Sequence, residues 1–214
     1  MSHDASEAEA DRARTVYLPP WRVDVIRRSG IRSRLPATTV ATALTRALAA
    51  AGAPSPGSVA IVLTDDAELA ELNAEHMGID GPTDVLSFPM LPPETFGREG
   101  RRAGTNAAAG ASAGSGAAAG TNAGPTAPSI VGQGGRGRHR VHIGDIAISV
   151  ERAIEQAEEG RGGQTGDVRW SAADELRLLV THGALHLCGW DHVEPEEEAE
   201  MRALEADLLR APAQ

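Results

Sequence analysis

At 214 residues the chain has the length of one well-buried domain, and one domain rather than two is the ordinary expectation. Its net charge of −10 excludes a strongly basic nucleic-acid module, but not a basic cleft within an acidic protein, because steering follows the local field. A single cysteine, Cys188, excludes an internal disulfide framework and suits a reducing cytosol.

Residues 1–15 are polar and acid-rich, lack the apolar run of a secretory signal, and read as a disordered tail. Residues 21–28, WRVDVIRR, alternate with Trp21, Val23 and Val25 on one face, which predicts a first strand. From Ala37 to Ala51, Val40, Leu44, Ala47 and Leu48 recur at helical spacing, and Gly52 follows as a stop. The β-branched run SVAIVLT at 58–64 predicts a buried strand. Asp65 or Asp66 can then cap a helix carrying Leu69, Leu72 and His76 and ended by Gly78. TDVLSFP at 83–89 reads as another strand, bounded by Pro82 and Pro89.

Residues from about 97 to 140 are mostly Gly, Ala, Ser, Thr and Asn, a composition that buries too little apolar surface to offset ordering entropy. They are expected to form a flexible insert. Its ends carry Arg98, Arg101 and Arg102 on one side and Arg136, Arg138 and Arg140 on the other. These charges either solubilise a loop or arm it to meet phosphates. All twenty basic residues of the chain are arginine, which reads as composition bias, although arginine is also the better phosphate fork.

VHIGDIAISV at 141–150 resumes as a strand, and ERAIEQAEE continues as a helix to Gly160. Ser171 and Asp174 resemble a capping box opening a long helix, SAADELRLLVTHGALHL, apolar on most sides as a central buried helix would be. Gly189 ends it, and Pro195 starts a last helix. Five glutamates between 194 and 200, with Arg202 and Arg210 later, complement that helix's dipole. This order predicts an α+β fold, a small mixed sheet of about four strands packed with helices. No stretch reaches the roughly 20 apolar residues of a spanning helix, so a soluble, cytoplasmic protein is expected.

THGALHLCGWDH, residues 181–192, holds three of the seven histidines. His182 and His186, four apart on a helix, present their rings to one point, and the turn at Gly189 brings His192 back to it. Three neutral nitrogens at roughly 2.0–2.1 Å leave the fourth position of a tetrahedral zinc ion open for water, the mark of a catalytic rather than a structural metal. Cys188 sits at the wrong phase to join them and reads as a small buried residue. Zinc peptidases with this spacing carry Glu directly after the first histidine as the base; here that position is Gly183. Phosphodiester cleavage asks less of a protein base, and RNA brings its own 2′-hydroxyl nucleophile. Asp191 either orients a ligand or accepts a proton, or it simply forms the turn after Gly189 and Trp190. Residues 16–214 are thus expected to form a single metal-hydrolase-like domain interrupted by the insert.

HGALHLCGWDH resembles the signature of the YbeY family of metal-dependent endoribonucleases. LNAEHMGIDGPTDVLSFP (72–89) and IGDIAIS (143–149) resemble two further blocks of that family. The resemblance spans roughly residues 16–210 apart from the insert. It implies one zinc ion on His182, His186 and His192, and cleavage of single-stranded RNA. It further implies work on the 3′ end of small-subunit rRNA and in ribosome quality control, with the small subunit as partner, no membrane and no organic cofactor. Many members have an arginine five residues before the Pro-Thr pair; that position is Met77 here, preceded by His76. His76 is either a substitute polar contact or a helix-end residue, and Asp84 is either catalytic or a structural group at the turn-to-strand junction. Two other readings compete: a ribosome-associated RNA-binding factor with a structural metal, and a zinc peptidase with an unusual base.

Overall fold

The computed structural model describes residues 11–96, 140–160 and 170–210. Its elements in chain order are β1 (Arg12–Leu18), β2 (Trp21–Arg27), α1 (Ala37–Ala50), β3 (Gly57–Thr64), α2 (Asp66–Met77) and β4 (Val85–Pro89). A single 3-10 turn (Pro93–Phe96) follows, then β5 (Val141–Ser149), α3 (Val150–Glu158), α4 (Ala172–Leu187) and α5 (Pro195–Arg210). The fold is α+β, with a mixed sheet in the order β1-β2-β3-β5-β4. The inner pairs β2–β3 and β3–β5 are parallel, while the outer pairs β1–β2 and β4–β5 are antiparallel.

The sheet therefore has five strands where the sequence led us to expect about four, and Arg12–Thr15 belong to β1 rather than to a tail. The reason is physical. β1 is an edge strand that buries only Val16, so its sequence lacks the apolar alternation that marks a half-buried strand. It is held by pairing with β2, with Val16 opposite Val23 and Leu18 opposite Trp21. Residues 1–10 lie outside the described residues. So does the insert, with Arg98, Arg101, Arg102, Arg136 and Arg138; of those arginines only Arg140 is described, its guanidinium 5.9 Å from the Tyr17 ring centroid.

One face of the sheet is covered by α1 and α4. Val23, Val25, Val59, Ile61, Leu63, Ile146 and Ile148 meet Val40, Leu44, Leu48, Leu176, Val180 and Leu185 in the main core. Each fully buried leucine or isoleucine there contributes about 1.5–3 kcal/mol of transfer free energy. The other face carries a smaller cluster in which Leu69 of α2 meets Leu86 and Phe88 of β4 and Ala147 of β5.

α4 sits at the centre, touching α1, α3, α5, β4 and β5. Local chemistry sets its start: the Ser171 hydroxyl accepts from Asp174 N–H, and the Asp174 carboxylate accepts from Ser171 N–H, the reciprocal capping box the sequence predicts. Asp65 caps α2 by accepting from Glu68 N–H. Among the described residues no helix is long and apolar enough to cross a membrane.

Candidate metal centre

The C-terminal end of α4 builds the site. Gly189 adopts φ +77°, its N–H donates to His186 O at 2.9 Å, and Trp190 N–H donates to Leu185 O at 3.1 Å. This pair of bonds closes the helix and reverses the chain, which a side chain at a positive φ would resist. The returning loop is pinned by carboxylates. Asp191 Oδ1 accepts from His192 N–H at 2.8 Å, and Glu197 Oε1 accepts from Asp191 N–H at 3.2 Å.

His182, His186 and His192 are thereby brought together, one candidate ligand atom from each lying within 4.8 Å of the others. His186 is fully buried, and the other two are half-buried. The Nε2 atoms of His182 and His186 stand 3.0 Å apart. The His192 ring faces that of His186 edge-on at 5.3 Å between centroids and lies nearly parallel to that of His182 at 6.1 Å. His192 Nε2 is buried without a hydrogen-bond partner among the described residues. A buried ring nitrogen left in this way beside two other imidazoles is what a metal ion would satisfy. The three side chains form a group that can hold a metal ion, and the donor set fits one.

Behind His182 lies a residue that sequence reasoning missed. Glu205 Oε1 stands 2.7 Å from His182 Nδ1, with both side chains largely buried. The acid run at 194–200 complements the dipole of α5 and does not account for this contact. Glu205 lies beyond that run and falls at helical spacing with Met201 and Leu208, on the stripe that packs against the core. A carboxylate on an apolar stripe was the signal available.

Gly183 gains a structural reason. A Cβ there would meet Ile146 Cγ2 and Val85 Cγ2 at 3.0 Å and Ser87 Oγ at 3.3 Å. The position after the first histidine faces the sheet, so any side chain there requires Val85, Ser87 and Ile146 to give way by a few tenths of an ångström. Cys188 is fully buried at the helix C-cap and is not part of the histidine group.

The remaining candidates are placed elsewhere in the fold. Met77 packs on the small cluster under α2, and His76 meets Phe88 edge-on with ring centroids 5.1 Å apart. Asp84 is buried, its carboxylate accepts from Gln156 Nε2 at 3.0 Å, and its carbonyl accepts from Ser149 N–H. It ties the start of β4 to α3 through the Gln156 side-chain amide.

Fold and site together define a class: an α+β protein with an all-imidazole cluster, suited to a metal ion, at the end of a buried helix. Comparison with known proteins narrows it. The profile of the endoribonuclease YbeY family matches residues 28–212. Endoribonuclease YbeY of Salinispora tropica is 39% identical over 151 residues, 71% of each chain. That of Symbiobacterium thermophilum is 35% identical over 162 residues, 76% of each, and that of Roseiflexus castenholzii is 34% identical over 176 residues, 82% of each. The chain belongs to the endoribonuclease YbeY family. A solution structure of a Thermotoga maritima protein aligns with a TM-score of 0.42 at 19% identity, covering 88% of this chain and 86% of that one.

Proposed function

We propose that the protein is a zinc-dependent endoribonuclease that cuts single-stranded RNA, acting in the cytoplasm on the 3′ end of small-subunit rRNA and in ribosome quality control. The observation that carries the reading is the convergence of His182, His186 and His192 in a chain of this family, with glycine at position 183 where a zinc peptidase carries its glutamate. Zinc, when bound, supplies Lewis acidity that neutralises charge at a phosphoryl oxygen and acidifies water. The three histidines hold it, Asp191 fixes the backbone that carries His192, and the RNA provides a 2′-hydroxyl beside the scissile bond. The rRNA and the small subunit are the proposed partners, with no membrane and no organic cofactor.

Purified protein should cleave single-stranded RNA, and cleavage should disappear with a chelator and in His186→Ala. Cleavage that survives that substitution overturns the assignment of the metal to catalysis. One observation favours a second reading, a ribosome-associated RNA-binding factor whose metal is structural: Met77 is packed in an apolar cluster at the position where the family resemblance leads one to expect an arginine. A large fall in melting temperature on metal removal, with no RNA cleavage by the intact protein, would select it.

A further inference from the structure

We infer that Glu205 is a positioning residue: it holds the ring of His182 with Nδ1–H turned to α5 and the Nε2 lone pair turned to His186, making metal affinity depend on the last helix. The inference rests on the reading that the three histidines hold a metal ion.

A neutral imidazole carries its proton on one nitrogen only. With Glu205 Oε1 at 2.7 Å from Nδ1, a carboxylate that can only accept places the proton there. The other nitrogen, Nε2, then presents a lone pair at 3.0 Å from His186 Nε2, on the side where a cation is wanted. Carboxylate partners of ligating histidines fix the tautomer and the ring angle in this manner and raise ligand basicity.

Packing alone does not account for the residue. Met201 and Glu205 are the buried residues of α5, with Leu204 and Leu208 partly buried on the same core. A carboxylate at that place costs desolvation that an apolar side chain would not. α5 also has an independent anchor, since Arg177 Nη2 on α4 donates to Leu209 O at 3.1 Å. Replacing Glu205 should therefore leave the helix docked.

The test measures zinc affinity of the full chain by competition with a chromophoric chelator, alongside thermal unfolding of the zinc-free protein. Glu205→Leu keeps the bulk and removes the acceptor. It is expected to bind zinc about 10–100-fold more weakly, with zinc-free melting unchanged or raised. Glu205→Gln, whose amide oxygen still accepts, should recover part of the loss, and Arg202→Ala on the exposed side of α5 should bind as wild type. Nitrogen-15 shifts of the His182 ring in the zinc-free protein should report the Nδ1–H form in wild type and its loss in Glu205→Leu. Zinc binding by Glu205→Leu within twofold of wild type overturns the inference, as does a loss of affinity matched by loss of folding. A wild-type chain that binds no zinc overturns instead the three-histidine reading beneath it.

Discussion

Ser87 on β4 donates its hydroxyl hydrogen to the main-chain carbonyl of Gly183 on α4 at 3.0 Å, inside the core and one residue from His182. The bond marks how closely helix and sheet approach, and it gives the glycine at position 183 a packing context beside the chemical one. Gly183→Ala adds a methyl 3.0 Å from two branched side chains. Alanine improves helix propensity by about 0.8–1 kcal/mol, yet overpacking a closed core costs about 1–3 kcal/mol. The clash is expected to win, lowering the unfolding free energy by about 1 kcal/mol in urea denaturation. A stabilised variant would show that the seat relaxes. Gly183→Glu should fail to yield peptidase activity, because the added carboxylate is directed at the sheet.

Metal should stabilise the fold as well as serve it. The histidines join α4 to the loop after it, and His182 is in turn joined to α5. Zinc at 100 times its dissociation constant should add about 2.7 kcal/mol by mass action. Melting temperature is expected to rise with zinc and fall with chelator in wild type, and to respond to neither in His186→Ala. A wild-type melting temperature indifferent to chelator contradicts a metal held at this site.

Acid should weaken the join between β2 and α2. Burial pushes the Glu68 carboxyl up, but hydrogen bonds from Arg28 and Thr64 and the charge of Arg28 outweigh it and hold the group below its ordinary 4.5. A bond from the Ser29 backbone and then one from Arg28 likewise lower Asp11. Both carboxylates have folded-state values below their unfolded ones. Their contribution is therefore full above the unfolded value and is lost as pH falls through the folded one. Stability of wild type should decline with falling pH from about 4.5 downward, more steeply than that of Glu68→Gln, in denaturation curves taken across that range. Identical acid limbs would remove this network from the account.

Much of the molecule was legible because its signals are local. The Ser171–Asp174 box, a cap at Asp65 or Asp66 (Asp65 in the structure) and the reversal at Gly189 depend on residues within a few positions, so local spacing pointed to them. The histidine trio was legible for the same reason. What escaped depends on contacts distant in sequence. β1 is a strand because β2 pairs with it, and its exposed Arg12, Ala13, Arg14 and Thr15 do not announce that. Glu205 reaches His182 across 23 positions, and the acid run preceding it hid its different burial. Asp84 looked like a turn residue, and its partner Gln156 lies 72 positions away.

The proton acceptor can be narrowed at Asp191. Its Oδ1 accepts from the His192 backbone N–H at 2.8 Å, and the residue is buried, so the carboxylate visibly shapes the loop that presents the third imidazole. A loop-shaping role and a proton-accepting role make opposite demands on asparagine. Asn keeps an oxygen able to accept the backbone hydrogen bond but cannot take up a proton at neutral pH. On the loop-shaping account Asp191→Asn retains RNA cleavage and zinc affinity, whereas Asp191→Ala frees His192 and weakens zinc about 10-fold or more. That is the expected outcome. If Asp191→Asn instead binds zinc as wild type and loses its turnover while KM holds, the carboxylate is the base, and the loop contact is secondary.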